Sequence, residues 1–130
     1  MSIPVSTTAL GRLMERNLSE VFGERDPGRR RQAIAELYAD DCALYDADGA
    51  AIGQAAVSDQ VGRVLSESPP GFAFSLVSPA EVIHDLGRLR WQTGPAGAPP
   101  VARGMDVAVF ASGKIRTLYT FIEAPAAAGA

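Results

Sequence analysis

Val101-Ala102-Arg103-Gly104-Met105-Asp106-Val107-Ala108-Val109-Phe110, then Ala111-Ser112-Gly113, then Lys114 to Ile122, reads as two long strands joined by a turn. Larger and smaller or polar side chains alternate with period two, the pattern of strands that bury one face. One charged residue interrupts that face. Asp106 shares it with Ala102, Gly104, Ala108 and Phe110, all small or apolar. A carboxylate that points inward there must be paired or protonated, because burying the bare charge is too costly.

Toward the N-terminus the strand pattern continues. Phe72, Phe74 and Leu76 lie on one side of a strand, and Val82 to Trp91 predicts one or two more. Gly94 to Pro100 (GPAGAPP) is then the loop of a hairpin. Earlier still the period becomes helical. Ser6, Thr7 and Thr8 offer N-cap oxygens, and Leu10, Leu13, Met14, Leu18, Val21 and Phe22 form an amphipathic stripe that Gly23 ends. Asn17 falls on that apolar stripe, where its amide must find a partner. Asp26-Pro27 opens a second helix with Ala33, Ile34, Leu37 and Tyr38 on its packing face. The run Arg29-Arg30-Arg31 predicts a solvated surface. Cys42 to Asp46 is a short strand closed by Asp48-Gly49, and a third helix after Gly53 packs through Val57, Val61, Val64 and Leu65 until Ser68-Pro69-Pro70-Gly71.

Helices followed by a run of antiparallel strands is an α+β order. A long sheet covered by helices on one side twists and curls, and the hollow it leaves suits a small molecule. The 130 residues predict a single domain over 1–123, with 124–130 as a frayed, flexible tail. Twelve basic and 15 acidic side chains give a net charge of −3, which argues against a nucleic-acid partner. No apolar run approaches a membrane span, and Met1 to Ser6 lacks the features of a signal peptide, so no membrane association is expected and the expected location is cytoplasmic. A lone Cys42 implies no disulfide and is expected to be buried. His84 has no second histidine or cysteine at a ligand spacing, so no metal and no cofactor is expected. Its neighbours in alternation, Val82 and Leu86, place it on an apolar face.

Two stretches carry a family resemblance. Leu37-Tyr38-Ala39-Asp40-Asp41-Cys42-Ala43-Leu44-Tyr45-Asp46 resembles the helix end and first strand of the nuclear-transport-factor-2-like superfamily, which includes the SnoaL-like polyketide cyclases and ketosteroid isomerase. Gly104 to Phe110 with Gly113-Lys114-Ile115 resembles that superfamily's penultimate strand and final turn. The resemblance implies a cone-shaped α+β fold, cystatin-like, with a curved, mixed but mainly antiparallel sheet wrapped around three N-terminal helices. It also implies a homodimer through the outer sheet face.

For the site, the resemblance to ketosteroid isomerase places Asp46 at the aspartate base and Asp106 at the oxyanion aspartate. The position of that enzyme's tyrosine is Asn17, a weaker donor. Met14, Asn17, Trp91, Phe110 and Tyr119 are the expected lining of the pocket. The implied activity is cofactor-independent isomerisation or cyclisation of a small hydrophobic carbonyl compound, with an aspartate moving the proton. An alternative is a non-catalytic ligand-binding or assembly module of the same fold. An acid–arginine–acid relay through Arg90 or Arg103, as in an epoxide hydrolase on this scaffold, ranks lower. A purely structural Asp106 is expected to bond Arg90, Arg103 or a backbone amide.

Overall fold

A computed structural model describes residues 6–123, so the expected tail 124–130 and the opening residues 1–5 lie outside them. Ser6 starts the first helix as expected: its Oγ accepts from the amide of Ala9 at 3.1 Å. Helix α1 (Thr7–Arg16) then widens into a π-helical turn (Asn17–Phe22). The stripe Leu10, Met14, Leu18, Val21 and Phe22 is buried, and Asn17 is buried with it.

Asp26 caps α2 (Pro27–Leu37), accepting from the amide of Arg29 at 2.8 Å. The basic run is not wholly solvated. Arg30 is buried, with Nη1 donating to the carbonyl of Glu24 at 2.9 Å and Nε donating to Ser58 Oγ at 3.3 Å. Helical periodicity explains this correction, since one residue in a run of three faces the neighbouring helix.

Strand β1 (Tyr38–Asp46) follows α2 without a loop and starts four residues before the expected Cys42. A short β2 (Gly49–Ile52), absent from the sequence reading, forms a hairpin with it through Asp46↔Gly49. Its Gly-Ala-Ala-Ile composition carries too little β-branched or aromatic character to mark a strand. Helix α3 (Gln54–Glu67) buries Val57, Val61 and Leu65. Then come β3 (Phe72–Leu76), β4 (Glu81–Ile83), β5 (Leu86–Pro95), β6 (Ala102–Ala111) and β7 (Lys114–Glu123).

The sheet order is β2-β1-β7-β6-β5-β3, with β4 also on β5. Only β1 and β7 run parallel; the other pairings are antiparallel. This is the expected mixed, mainly antiparallel sheet, and three helices pack on one of its faces around a core that includes Ile34, Leu37, Val57, Leu89 and Leu118.

His84 departs from expectation. It sits in the turn between β4 and β5 at φ 57°, with its side chain 92% exposed. The strand ends at Ile83, so the alternation that placed His84 on an apolar face does not continue through it. Cys42 is buried as expected, and burial pushes its thiol above the ordinary range.

Candidate active site

Between α3, the π-helical turn and the concave side of the sheet lies a cavity of about 290 Å³, the lower end of small-ligand pockets. Leu18, Phe22, Leu44 and Phe74 give it apolar walls, and Trp91 and Asp106 lie deep within it.

Glycine makes the deep part possible. Trp91 on β5 is paired with Gly104 on β6, and a Cβ at residue 104 would fall 2.1 Å from the indole Cζ2. The bare glycine lets the indole lie across β6 and reach Asp106, whose Oδ1 accepts from Trp91 Nε1 at 3.0 Å. Thr120, paired with Asp106 on β7, donates its hydroxyl to the same oxygen. Both donors therefore converge on Oδ1. No donor among the described residues reaches Oδ2, which leaves that oxygen for whatever occupies the cavity.

Asp106 is only 2% exposed. Burial pushes its pKa up to about 6, against the opposing pull of the Thr120 and Trp91 hydrogen bonds. At neutral pH the carboxylate is mostly ionised, yet far more basic than an ordinary aspartate.

The other expected acid, Asp46, lines the same cavity at its rim. Its Oδ1 accepts from the amides of Asp48 at 2.9 Å and Gly49 at 3.0 Å, and its Oδ2 accepts from Gln60 Nε2 at 2.9 Å. Asp46 thus orders its own turn, as aspartate commonly does. Exposed Asp48 and Glu67 complete the rim.

Of the five expected lining residues, only Trp91 lines the cavity. Met14 and Phe110 are sealed in the core, filling the space over Gly87, where a Cβ would fall 2.5 Å from Met14 Sδ and 2.9 Å from the Phe110 ring. Asn17 is sealed as well: its Oδ1 accepts from Tyr38 Oη at 2.6 Å, and its Nδ2 has no partner among the described residues. Tyr119 lies on the outer face of the sheet, stacked on Tyr45 with ring centroids 5.2 Å apart.

A bulge explains both the misplaced tyrosine and the missed threonine. Counting outward from the Ala111↔Lys114 turn sets Tyr119 opposite Asp106. The register shifts by one between Val109 and Phe110, so Thr120 takes that place and Tyr119 turns outward. Gln60 and Glu67 were also missed; they reach the cavity from α3, and strand alternation gives no signal for them.

Arg90 pairs with Glu123, and Asp106 is held by Trp91 and Thr120. Neither the acid–arginine–acid relay nor the expected structural bond to an arginine or backbone amide forms. Among the described residues no three histidine, cysteine or acidic side chains are grouped to hold a metal ion. No helix there is long and apolar enough to cross a membrane.

The SnoaL-like domain family matches residues 16–118. No curated protein sequence matches the chain. Among solved structures, a protein of Agrobacterium tumefaciens provisionally named an isomerase of the SnoaL-like family superposes with a TM-score of 0.81 at 21% identity, covering 90% of this chain and 99% of that one. A Jannaschia protein provisionally named a SnoaL-like polyketide cyclase gives 0.71 at 16% identity, covering 95% and 91%. One of Kribbella flavida provisionally named a ketosteroid isomerase gives 0.66 at 15%, covering 91% and 80%. At these identities the superpositions establish the shared fold, and the family match spans both stretches of sequence that carried the resemblance. The chain belongs to the SnoaL-like domain family.

Proposed function

We propose that the protein is a cofactor-independent isomerase or cyclase that abstracts a proton next to a carbonyl group, with Asp106 as the general base. One observation carries this reading: a buried carboxylate lines an apolar cavity with its Oδ2 unengaged and its pKa raised to about 6. A base of that strength is ionised at neutral pH and loses little to solvation when a ligand covers it.

In the proposed step the substrate C–H proton moves to Oδ2, and the bonding electrons move onto the carbonyl oxygen. The bonds from Trp91 and Thr120 hold Oδ1 so that Oδ2 keeps one orientation. Thr93 lines the wall, and its hydroxyl is engaged by no other group among the described residues, so it is the available donor to the developing oxyanion. Return of the proton to another carbon completes an isomerisation; attack of the enolate carbon on a second carbonyl of the same molecule, with the proton passing from Oδ2 to the new alkoxide oxygen, completes a cyclisation and restores the base. Asp46, with three hydrogen bonds already accepted, shapes the rim in this scheme rather than serving as the base.

The test is exchange of the α-hydrogens of α-tetralone in D2O, followed by proton NMR. Asp106→Asn should slow the protein-catalysed exchange by at least about a hundredfold, the lower range for a lost general base. Exchange by Asp106→Asn at the wild-type rate overturns the assignment.

The non-catalytic reading has its own support in the sealed position of Asn17 and Tyr38, which leaves no phenol in the cavity wall. It predicts that α-tetralone binds without any exchange. Dimerisation is proposed through the outer sheet face, where Tyr45, Leu86, Tyr119 and Phe121 are exposed beside half-buried Met105 and Val107. Light scattering should give a dimer for the wild type and a monomer for Tyr119→Lys/Phe121→Lys; a monomeric wild type overturns it.

A further inference from the structure

The charge of the cavity is one-sided. Its lining includes the carboxylates of Asp46, Asp48, Glu67 and Asp106 and contains no lysine, arginine or histidine. Elsewhere in the molecule several carboxylates are paired with arginines: Glu20 and Glu36 with Arg16, Glu24 with Arg29, Asp41 with Arg116, Glu81 with Arg88 and Glu123 with Arg90. None of the four cavity carboxylates belongs to an ion pair among the described residues. Exposed Arg63 lies in the groove that continues from the rim, and three rim acids outnumber it. Independently of the rim, the buried Asp106 presents to the cavity an oxygen that no donor among the described residues satisfies.

We propose that the ligand carries a cationic amine on an uncharged apolar body, with the ammonium group received at the rim by Asp48 and Glu67. This rests on the cavity being the ligand site, as proposed above. The side chains of Asp48 and Glu67 accept no hydrogen bond from the described residues, so both are free to take ammonium hydrogens. Asp46 already accepts three hydrogen bonds from the protein and contributes chiefly its charge. The apolar body lies along Leu18, Phe22, Phe74 and Trp91, and the reacting end reaches Asp106. A carboxylate ligand would instead have to enter against four like charges, and an ammonium group relieves their mutual repulsion.

The experiment uses the single tryptophan, Trp91, whose place in the wall makes its emission a report on occupancy. Three probes of one shape are titrated at low salt: 1-adamantanemethylamine, 1-adamantanemethanol and 1-adamantanecarboxylate. Two partly exposed ion pairs predict that the amine binds roughly tenfold more tightly than the alcohol, with the carboxylate weakest. The preference should shrink toward that of the alcohol at roughly 0.5 M salt, where screening is short-ranged. It should also shrink in Asp48→Asn/Glu67→Gln. Equal binding of amine and alcohol, or tightest binding of the carboxylate, overturns the charge assignment and leaves the cavity reading standing. A preference that survives in the double variant overturns the assignment to the rim. Emission unchanged by all three probes overturns both readings.

Discussion

Asn17 and Asp106 are buried to nearly the same degree, 1% and 2% exposed, and both place a polar side chain under the sheet. Their surroundings give opposite results. The Asn17 side chain is buried away from the cavity, and among the described residues it donates to nothing and accepts only from Tyr38. Asp106 uses one oxygen to fix itself between Trp91 and Thr120 and leaves the other facing a cavity. Burial alone therefore does not make a reactive group. Burial beside an open volume, with one atom held and one atom free, does. The phenol tells the same story: Tyr38 is wholly buried, and burial together with the nearby charge of Asp106 pushes its pKa well up, so it stays protonated inside the core.

Three measurements would sharpen or break this contrast, and the largest effect belongs to the Asp106 carboxyl. Its folded pKa of about 6 lies above that of the unfolded chain, near 3.8. Between those values the folded state holds more protons, so this group's contribution to stability is greatest at low pH and falls as pH rises from about 4 to 6. Two pKa units correspond to on the order of 3 kcal/mol. Asp106→Asn removes the titration and keeps an oxygen to accept from Trp91 and Thr120. Urea denaturation at pH 4 and pH 7 should show the variant gaining on the wild type by that order over the range. A pH-independent difference would show that the carboxyl is solvated and not buried.

A smaller effect is expected at Gly104. A methyl group there collides with the Trp91 ring, and overpacking of this kind costs about 2 kcal/mol. Gly104→Ala should lower the denaturation midpoint and shift the tryptophan emission as the indole leaves Asp106. An unchanged spectrum would mean that Trp91 does not lie over β6.

The smallest effects belong to the sealed pair. Tyr38→Phe removes the one partner that the Asn17 side chain has among the described residues and leaves its amide unsatisfied, a cost of about 1–2 kcal/mol. Tyr38→Phe/Asn17→Leu replaces both polar partners with apolar ones and should recover most of that loss in denaturant titrations. The α-tetralone exchange rate should change little in both, whereas a large loss would place the pair in the catalytic apparatus.

Much of this molecule was legible in its sequence. The helical stripe from Leu10 to Phe22, the Ser6 and Asp26 caps and the alternation from Val101 onward depend on neighbours a few residues apart, where local periodicity is a direct reading of burial. The same alternation marked Asp106 as an acid on an apolar face before any partner was visible. The resemblance in Leu37 to Asp46 and in Gly104 to Ile115 located the family.

What the sequence left open was which side chains meet. A single bulge between Val109 and Phe110 decides that Thr120, and not Tyr119, stands opposite Asp106. The placement of β1 against β7 and of α3 over the sheet decides that Asp46 and Asp106 share one cavity while Asn17, Met14 and Phe110 do not line it. Period-two and period-3.6 patterns report which face of an element is buried, because that depends on the element alone. Whether a buried atom meets packed carbon or an open volume depends on the register and packing of distant segments, and only the tertiary structure carries that information.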